Sequence, residues 1–537
     1  MEGIRLAIHP IDLAIIVVYL VGIVALGCWA GIRQRQTIRG KGYFLAGRSL
    51  GWPVIGLALF STNISTIHLV SLAQEGYVNG LAYGNFEWMA AFTLIALSLF
   101  FAPFYIRSNV ATLPDFLEKR YCRAARDWLA VLSIISAVFI HIGFSLYTGA
   151  VVLRGLFGIN IMTSIIITSV LTGVYTIVGG LLAVVLTESI QTVVLVIGAV
   201  CITVIGYMKI GGWSELAASV DPVKLTVLRS SSDPSGLPWY SVFLGYPIIG
   251  LWYWCADQTI VQRVLGARDE YNARVGPLFA GFIKILPVFI FVLPGLICLG
   301  LVNKGMLPDT LSDSSDTYAF MISHLLPVGL KGIVAAALLA ALMSTVSGAL
   351  NSIATLFSYD IYRRWRPETP EKTLVLVGRI VTFAAMAAAI LWSPFVSHFK
   401  SIFQGIIAII CYIAPPITTV FICGVFWKRA SSTAAVVTLW SGSIMGFAVF
   451  MLDWFKEYTG WSVPSMMMTF YLFVACMAVM IVISLARPHE HTEDSAALVW
   501  RNPLEALTAD SWGGIGDFRL LAGLLCASMI TLYIIFA

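Results

Sequence analysis

Apolar runs long enough to span a membrane recur along the whole chain and are separated by short polar connections. Because a helix needs about 20 apolar residues to cross a bilayer, we predict about fourteen spans, at approximately 11–31, 51–75, 80–105, 126–156, 159–180, 183–208, 239–263, 275–302, 317–361, 373–397, 401–426, 431–452, 464–486 and 518–537. Charged residues make up only 11% of the chain, against about 25% in soluble domains. The sequence therefore predicts an all-α membrane protein, with residues 1–537 forming a single polytopic domain in the lipid bilayer.

Lys and Arg are concentrated in alternate connections, in clusters at 33–48, 107–126, 263–274, 363–372, 428–429 and 487–519. Since cytoplasmic loops carry an excess of these residues, we predict that the N-terminus and the C-terminus both lie outside. Short clusters of this kind are topology signals, so no nucleic acid is expected as a partner. The motifs GxxxxGKS and GxxxxGKT do not occur in the sequence. Their absence argues against ATP-driven pumping, and we do not expect an enzyme.

Four charged residues interrupt the predicted spans: Glu87, Glu188, Asp257 and Lys284. A charge in the hydrocarbon core costs several kcal/mol, so it marks a transport pathway or a paired site. Polar clusters break the apolar pattern at 61–66, 252–258 and 344–347. Ser, Thr and Asn compete with helical hydrogen bonds, so we predict that the second span unwinds near 61–66 and lines a cavity there. The clusters alternatively form polar stripes that join neighbouring helices.

The clusters at 61–66 and 344–347 supply hydroxyl groups and unwound carbonyl groups. These are hard oxygen ligands, which a small alkali cation prefers over sulfur or imidazole, and Na⁺ is the natural candidate. Discontinuous helices with polar groups near the membrane midplane are typical of secondary transporters with inverted repeats. Spans 2–6 and 7–11 are two five-helix units, and each unit begins with a span that polar residues interrupt.

Several longer motifs carry a resemblance to a known family. They are Phe44-Leu45-Ala46-Gly47-Arg48, Asn63-Ile64, Phe86-Glu87-Trp88, Gly179-Gly180-Leu181-Leu182-Ala183-Val184, Trp252-Tyr253-Trp254-Cys255-Ala256-Asp257-Gln258, Val261-Gln262-Arg263, Lys284-Ile285-Leu286-Pro287, Leu342-Met343-Ser344, Pro415-Pro416 and Phe426-Trp427-Lys428-Arg429. Through them the chain resembles the sodium/solute symporter family over roughly residues 40–430. Within that family it is most similar to the sodium/glucose cotransporters.

The resemblance implies a LeuT-type fold of two five-helix inverted repeats. The implied division is a first extra helix and cytoplasmic loop at 1–49, the first repeat at 50–210, the second repeat at 239–430, and three extra helices at 431–537. It also implies Na⁺ as the coupling ion, held between the break in the second span and the span that contains 344–347. The family's ligand positions fall on the carbonyl groups of Ser61, Ile64 and Ala341 and on the hydroxyl groups of Ser344 and Thr345.

The resemblance further implies a solute site and two gates. Sugar-contacting positions of the family fall on Asn63, His68, Glu87, Tyr253, Trp254 and Lys284. Tyr253 also matches the inner gate, and an outer apolar gate matches Leu72, Phe86 and Phe403. These side chains suit a sugar, because amide, imidazole, carboxylate and ammonium groups hydrogen-bond hydroxyl groups and aromatic faces cover the ring.

The chain departs from the family's pattern at the solute site, where Gly250 replaces a threonine of the family, and also at the second ion site. Ile407 stands where the sugar transporters carry a sugar-binding Gln, and Gln404, about one turn earlier, is the candidate replacement. At a second ion site, Glu188 replaces the usual Asp and Ser347 keeps a hydroxyl group, but the adjacent serine of the family is Gly348 here. The identity of the sugar and the existence of a second ion site therefore stay open.

The sequence predicts a Na⁺-coupled symporter that imports a sugar or polyol by alternating access. Uptake of a monocarboxylate, sialic acid, an amino acid or a vitamin is the alternative, because Lys284 can pair with a carboxylate, although the nearby Glu87 argues against an anionic solute. A solute-gated sensor or channel is a third hypothesis. The connection 302–316 is short and has no cysteine, unlike the external loop of the animal transporters, which favours a bacterial plasma membrane, the inner membrane.

Overall fold

A computed structural model describes residues 9–537 apart from 38–40, 234–236, 309–310, 312–313, 399–401, 489–491 and 509–512. Within these ranges the chain forms helices and loops and contains no β-strand. Eleven of the described helical segments are long and apolar enough to cross a membrane. The protein is therefore an all-helical multi-pass membrane protein.

We number the long helices in chain order, together with α8, which follows α7 across the break at Asp257. They are α1 (Pro10–Thr37), α2 (Trp52–Asn63), α3 (Thr66–Asn79), α4 (Asn85–Ala96), α5 (Arg123–Ser136), α6 (Ile161–Ile210), α7 (Trp239–Leu251), α8 (Gln258–Leu265), α9 (Glu270–Ile283), α10 (Leu330–Leu356), α11 (Glu371–Trp392), α12 (Ile402–Phe426), α13 (Ser432–Trp454), α14 (Ser465–Ala486) and α15 (Phe518–Ile535). Shorter helices lie at Lys41–Leu45, Leu113–Arg120, Trp213–Ser219, Thr317–Leu325, Lys456–Thr459 and Glu493–Ala496.

Five of these helices are followed by π-helical turns, namely α4, α5, α7, α9 and α10. The turns are Leu97–Phe101, Ala137–Phe144, Trp252–Ala256, Val288–Val292 and Phe357–Tyr362. All but the third are followed by further α-helix, at Ala102–Arg107, Ser145–Phe157, Leu293–Asn303 and Arg363–Trp365. A π-turn widens the helix locally and is frequent at functional sites, and here one such turn carries Tyr253 and Trp254.

Two helices that begin the predicted repeats are broken. Between α2 and α3, Ile64 and Ser65 have extended backbone, and Ser65 starts α3 through a reciprocal cap with His68. Between α7 and α8, Asp257 has extended backbone, and its carboxylate accepts a hydrogen bond from the Thr259 amide at 2.6 Å. Short polar side chains at these points replace the missing helical hydrogen bonds. The break in the first helix lies inside the polar cluster at 61–66, as the sequence predicts.

The spans predicted at 159–180 and 183–208 follow one another in α6, where the non-helical backbone of Gly180 (φ 63°, ψ −161°) separates two helices. The span predicted at 80–105 is joined to α3 in one run that continues to Arg107. The spans predicted at 51–75 and 239–263 are each broken, the first at Ile64 and Ser65 and the second at Asp257. At Gly180 a Cβ atom would lie 2.5 Å from the Tyr43 carbonyl oxygen. Only glycine suits both the left-handed conformation and this close approach.

The helices enclose α10, which is buried along nearly its whole length and packs against α6, α1 and α11. On the other side of the site, α2 packs against α9 and α6. The C-terminal helices α12, α13 and α14 pack against one another, and α7 joins them to the centre. Large apolar side chains such as Val18, Ile444 and Phe447 are exposed on the outer faces. Lipid is the solvent that suits such a surface.

Candidate functional site

A cavity opens beside the break between α2 and α3, and its volume is about 900 Å³ including its opening to solvent. Its polar lining consists of Thr62, Asn63, Ser65, His68, Glu87, His141, Ser145, Tyr246, Tyr253, Lys284 and Thr345. Its apolar lining consists of Ile67, Phe86, Ile140, Ile249, Gly250, Trp254, Ile406, Ile407 and Ile410. Small-molecule sites of this size are mostly apolar, with a few placed polar groups that fix the orientation of the ligand.

The polar groups of the cavity form one network around Lys284. The ammonium group of Lys284 donates a hydrogen bond to Asn63 Oδ1 at 2.5 Å and forms an ion pair with Glu87. Asn63 in turn donates to the Tyr253 hydroxyl group at 3.2 Å. His68 Nε2 lies 3.8 Å from Glu87 Oε1. The structure thus brings together five of the residues that the resemblance assigns to the solute.

The sixth such residue, Trp254, covers one side of this network. Its ring centroid lies 5.6 Å from Lys284 Nζ, a cation–π distance. Lys284 and Glu87 are almost fully buried, so each of these charges is compensated by the other rather than by water. The cavity therefore presents hydrogen-bond donors and acceptors without an excess charge, next to aromatic and isoleucine side chains.

The five predicted Na⁺ ligands also lie together, and all five residues are buried. Ser344 Oγ lies 2.8 Å from the Ser61 carbonyl oxygen and 3.0 Å from the Ala341 carbonyl oxygen. Thr345 Oγ1 lies 3.3 Å from the carbonyl oxygen of Thr62, the residue after Ser61. Ile64 has extended backbone, which turns its carbonyl group out of the helical hydrogen-bond pattern. This donor set is oxygen only and uncharged, which suits a small hard cation.

At the predicted second ion site, Glu188 already has a cationic partner. Its carboxylate pairs with the guanidinium group of Arg263, at 2.5 Å between Nη2 and Oε1. Thr62 Oγ1 donates to the same carboxylate oxygen at 2.9 Å. Ser347 Oγ donates to the Ser344 carbonyl oxygen at 3.0 Å, within α10. The sequence indicated Glu188 as an exception to the family's pattern but did not indicate Arg263 as its partner.

Two of the predicted gate residues line the cavity. Phe86 packs against Tyr83 and Tyr246, and Tyr253 lies between the cavity and Asp257 at the break in the α7–α8 segment. Leu72 is fully buried and is not part of the lining. The side chains of Phe403 and Gln404 lie outside the described residues. Ile407 lines the cavity, so the position where the family carries a polar residue presents an apolar side chain here.

Sequence reasoning missed His141, which also lines the cavity. Its Nε2 atom lies 3.2 Å from the Asp257 carboxylate, and its ring lies 6.2 Å from that of Tyr253. A histidine inside an apolar span was an available signal. Histidine is only conditionally charged, so His141 does not stand out beside the charged residues within the spans.

The sequence profile of the sodium:solute symporter family matches residues 43–442. This chain belongs to the sodium:solute symporter family. As a member of that family it is a transporter, with Na⁺ as its coupling ion.

Three relatives of this symporter that are named as cotransporters of a sugar or a polyol align with most of the chain. Sodium/glucose cotransporter 4 of Danio rerio is 35% identical over an alignment of 484 positions that covers 84% of this chain and 73% of that protein. Sodium/mannose cotransporter SLC5A10 of Bos taurus is 34% identical over an alignment of 537 positions that covers 91% of this chain and 89% of that protein. Sodium/myo-inositol cotransporter 2 of Oryctolagus cuniculus is 33% identical over an alignment of 484 positions. This alignment covers 83% of this chain and 71% of that protein.

Among solved structures, the symporter resembles a substrate-bound, outward-open Na⁺-coupled sialic acid symporter with a TM-score of 0.79. The match covers 90% of this chain and 100% of that chain at 23% identity. Mhp1, a nucleobase-cation-symport-1 family transporter, matches with a TM-score of 0.52 at 13% identity. That match covers 85% of this chain and 97% of the Mhp1 chain. At these identities the likeness concerns the fold, which is LeuT-like.

Proposed function

We propose that this symporter imports a sugar or polyol together with Na⁺ by alternating access. The observation that carries the proposal is the charge-balanced network of Lys284, Glu87, Asn63 and Tyr253 at the wall of the cavity. A solute rich in hydroxyl groups can both donate to and accept from such a network. Relatives named for glucose, mannose and myo-inositol support this class of solute.

An acidic solute is the alternative. A monocarboxylate, sialic acid or an amino acid would bring a carboxylate to Lys284, but Glu87 already pairs with that ammonium group. An additional anion would compete with a buried carboxylate for one cation, which is unfavourable. A vitamin remains within this alternative, and a solute-gated sensor or channel is the third hypothesis. The likeness to a sialic acid symporter concerns the fold alone.

For the ion, we propose a site formed by the carbonyl groups of Ser61, Ile64 and Ala341 and the hydroxyl groups of Ser344 and Thr345. Its support is the approach of α10 to the end of α2, where Ser344 Oγ lies 2.8 Å from the Ser61 carbonyl oxygen and Thr345 Oγ1 lies 3.3 Å from the Thr62 carbonyl oxygen. Na⁺ bound there would join α2 to α10. Because Asn63 follows two residues after Ser61, the same ion would also hold the solute network in place.

For the architecture, we propose fourteen spans with both termini outside, the first inverted repeat at 50–210 and the second at 239–430. Residues 1–49 and 431–537 then add one helix before the repeats and three after them. The support is that α2–α3 and α7–α8, which open the two repeats, are both broken by extended residues. In inverted-repeat transporters, ion and solute sites lie at such breaks.

For gating, we propose that Tyr253 closes the inner side of the solute site, and that Leu72, Phe86 and Phe403 close the outer side. Gln404 is proposed to take the role of the Gln that Ile407 replaces.

A bacterial inner membrane stays a prediction from the short connection 302–316. The relatives named above are animal proteins and give it no support.

The test is uptake by the purified protein in proteoliposomes. Labelled glucose, mannose, myo-inositol and sialic acid are supplied with an inward Na⁺ gradient or with K⁺ in its place. We expect concentrative, Na⁺-dependent uptake of one of the three neutral solutes, recovered chemically unchanged from the lumen, as expected for a transporter that is not an enzyme. Na⁺-driven accumulation of sialic acid alone would support the alternative, and uptake that only equilibrates the solute would support a channel.

A further inference from the structure

A second polar wall of the solute cavity lies on the π-helical turn that follows α5. His141 belongs to that turn, Ala137–Phe144, and Ser145 begins the helix after it, so the two side chains are four residues apart. Residues at this spacing share one face of a helix, and both of these residues line the cavity. Neither belongs to the motifs through which the chain resembles its family.

One ring nitrogen of His141 is held by the protein and the other is not. Nε2 lies 3.2 Å from Asp257 Oδ2, while Asp257 Oδ1 accepts from the Thr259 amide at 2.6 Å. Because the carboxylate acts as an acceptor, Nε2 carries the proton in this contact, which leaves Nδ1 of the neutral imidazole as an acceptor. None of the described residues forms a hydrogen bond with Nδ1, although the side chain is only 9% exposed.

Ser145 adds a hydroxyl group that is buried and has no hydrogen-bond partner in the part of the chain that the structure describes. The other Ser and Thr hydroxyl groups of the cavity lining, on Thr62, Ser65 and Thr345, each have a partner within the protein. A buried hydroxyl group without a partner is unfavourable. A solute group that bonds to Ser145 therefore satisfies a hydroxyl group that the protein leaves open.

The neighbouring wall of the cavity cannot supply these hydrogen bonds. The π-helical turn packs against α12, which lines the cavity with Ile406, Ile407 and Ile410. Isoleucine side chains have no donor or acceptor, and the network around Lys284 lies on other helices, α2, α4 and α9. A solute hydroxyl group beside α12 and this turn therefore has His141 and Ser145 as its partners.

We propose that His141 and Ser145 form a second hydrogen-bonding subsite for the solute. His141 Nδ1 accepts from one solute hydroxyl group, and Ser145 Oγ bonds to another. The inference rests on the proposed import of a sugar or polyol and identifies a further part of its site. Because Nδ1 of the neutral ring and a carboxylate are both acceptors, this subsite favours a hydroxyl group over an acid. It selects a solute with hydroxyl groups both at this wall and at the Lys284 network.

The experiment measures equilibrium binding of radiolabelled glucose, mannose and myo-inositol to the purified full-length protein in Na⁺. His141→Leu and Ser145→Ala each remove one proposed hydrogen bond, so each should weaken binding of the preferred solute about threefold to tenfold. Ser136→Ala is the matched control, because Ser136 is also buried without a partner among the described residues but is not part of the cavity lining. Its solute affinity should equal that of wild type.

Two further variants separate a direct contact from a positioning role through Asp257. His141→Asn keeps an acceptor close to the place of Nδ1 but is too short to reach Asp257 as Nε2 does. His141→Gln keeps a donor for Asp257 and loses the acceptor at the place of Nδ1. We expect His141→Asn to bind the solute nearly as well as wild type, and His141→Gln to bind it about as weakly as His141→Leu. Should His141→Leu fail to fold, this pair still decides.

The reverse order, with His141→Gln close to wild type and His141→Asn weakened, would overturn the inference, because His141 would then act by holding Asp257. Wild-type solute affinity in a folded His141→Leu or Ser145→Ala protein would overturn it as well. Wild type that binds none of the three neutral solutes would contradict the proposed sugar or polyol import and the inference with it. That outcome is distinguishable, since it is observed without any variant.

Discussion

At the scale of single residues, Lys284 joins two walls of the cavity, since its ammonium group contacts Asn63 at the end of α2 and Glu87 in α4. Both contacts are buried, so water does not replace them when the site is empty of solute. A solute that bonds to this ammonium group therefore gains a charged partner already held in place. This makes Lys284 a sensitive position for solute affinity.

We predict that Lys284→Ala weakens solute binding while leaving the Na⁺ site intact. A hydrogen bond to a charged group contributes about 1.5–3 kcal/mol, which corresponds to roughly tenfold to hundredfold in affinity. The measurement is the solute concentration for half-maximal Na⁺-driven uptake, or for half-maximal thermal stabilisation in Na⁺.

Lys304→Ala is the matched control for this prediction. It removes another lysine that pairs with a glutamate, Glu215, at a more exposed position outside the cavity. Its solute affinity should equal that of wild type. A folded Lys284→Ala protein with unchanged solute affinity would show that Lys284 does not contact the solute. Loss of Na⁺ binding together with poor folding would mark the Lys284–Glu87 pair as structural.

At the scale of helices, the proposed Na⁺ site depends on α2 ending where α10 approaches it. The end of α2 frees carbonyl groups at 61–64, and α10 supplies two hydroxyl groups one residue apart. We predict that Ser344→Ala/Thr345→Ala abolishes Na⁺-stimulated uptake and leaves the protein folded, because two of the five proposed oxygen ligands are removed. Uptake in Na⁺ and in K⁺ is the measurement, with folding checked by thermal unfolding.

Ser352→Ala is the matched control on the same helix, about two turns further along. Ser352 is fully buried in α10 like Ser344, but it lies away from the end of α2 and is not among the proposed ligands. Its Na⁺ dependence should match that of wild type. Normal Na⁺ dependence in Ser344→Ala/Thr345→Ala would contradict the assigned site.

The break in α2 was predictable from sequence because its cause is local. The polar run 61–66 contains the residues that end α2 and those that cap α3, including Ser65 and its partner His68 three residues later. The two spans predicted at 159–180 and 183–208 likewise meet at a local feature, Gly180, whose non-helical backbone separates the two halves of α6. The contact at this break was not predictable in the same way, because Tyr43, which packs against Gly180, is far away in the sequence.

Partners far apart in sequence were not predictable from one sequence. Arg263 and Glu188 are 75 residues apart, and His141 and Asp257 are 116 apart. Glu188, Arg263 and His141 lie in different helical segments, and Asp257 lies at the break between α7 and α8, so their pairing depends on how the helices pack. The sequence marks such residues as out of place in a membrane but does not say which of them meet.

At the scale of the whole molecule, the number of spans decides which loops share a side of the membrane. The α7–α8 segment is the critical one, because it is broken at Asp257 and is not among the continuous helices long enough to cross. If it crosses as proposed, three spans separate Val223 from Glu368, and these two positions lie on opposite sides. If it does not cross, they lie on the same side.

We therefore predict that Val223→Cys and Tyr458→Cys react with a membrane-impermeant maleimide on intact cells, whereas Glu368→Cys and Leu504→Cys react only after permeabilisation. All four positions are exposed in loops or loop-proximal helical turns. The nine native cysteines are free and buried or half-buried, so wild type serves as the background control. Labelling of Val223→Cys and Glu368→Cys from the same side would show that α7–α8 does not cross the membrane. Labelling of Glu368→Cys and Leu504→Cys on intact cells, with Val223→Cys and Tyr458→Cys labelled only after permeabilisation, would show that the orientation is the reverse of the one proposed. With fourteen crossings, Tyr458→Cys and Leu504→Cys must also differ, since among the described helices α14 is the one membrane-spanning helix between them.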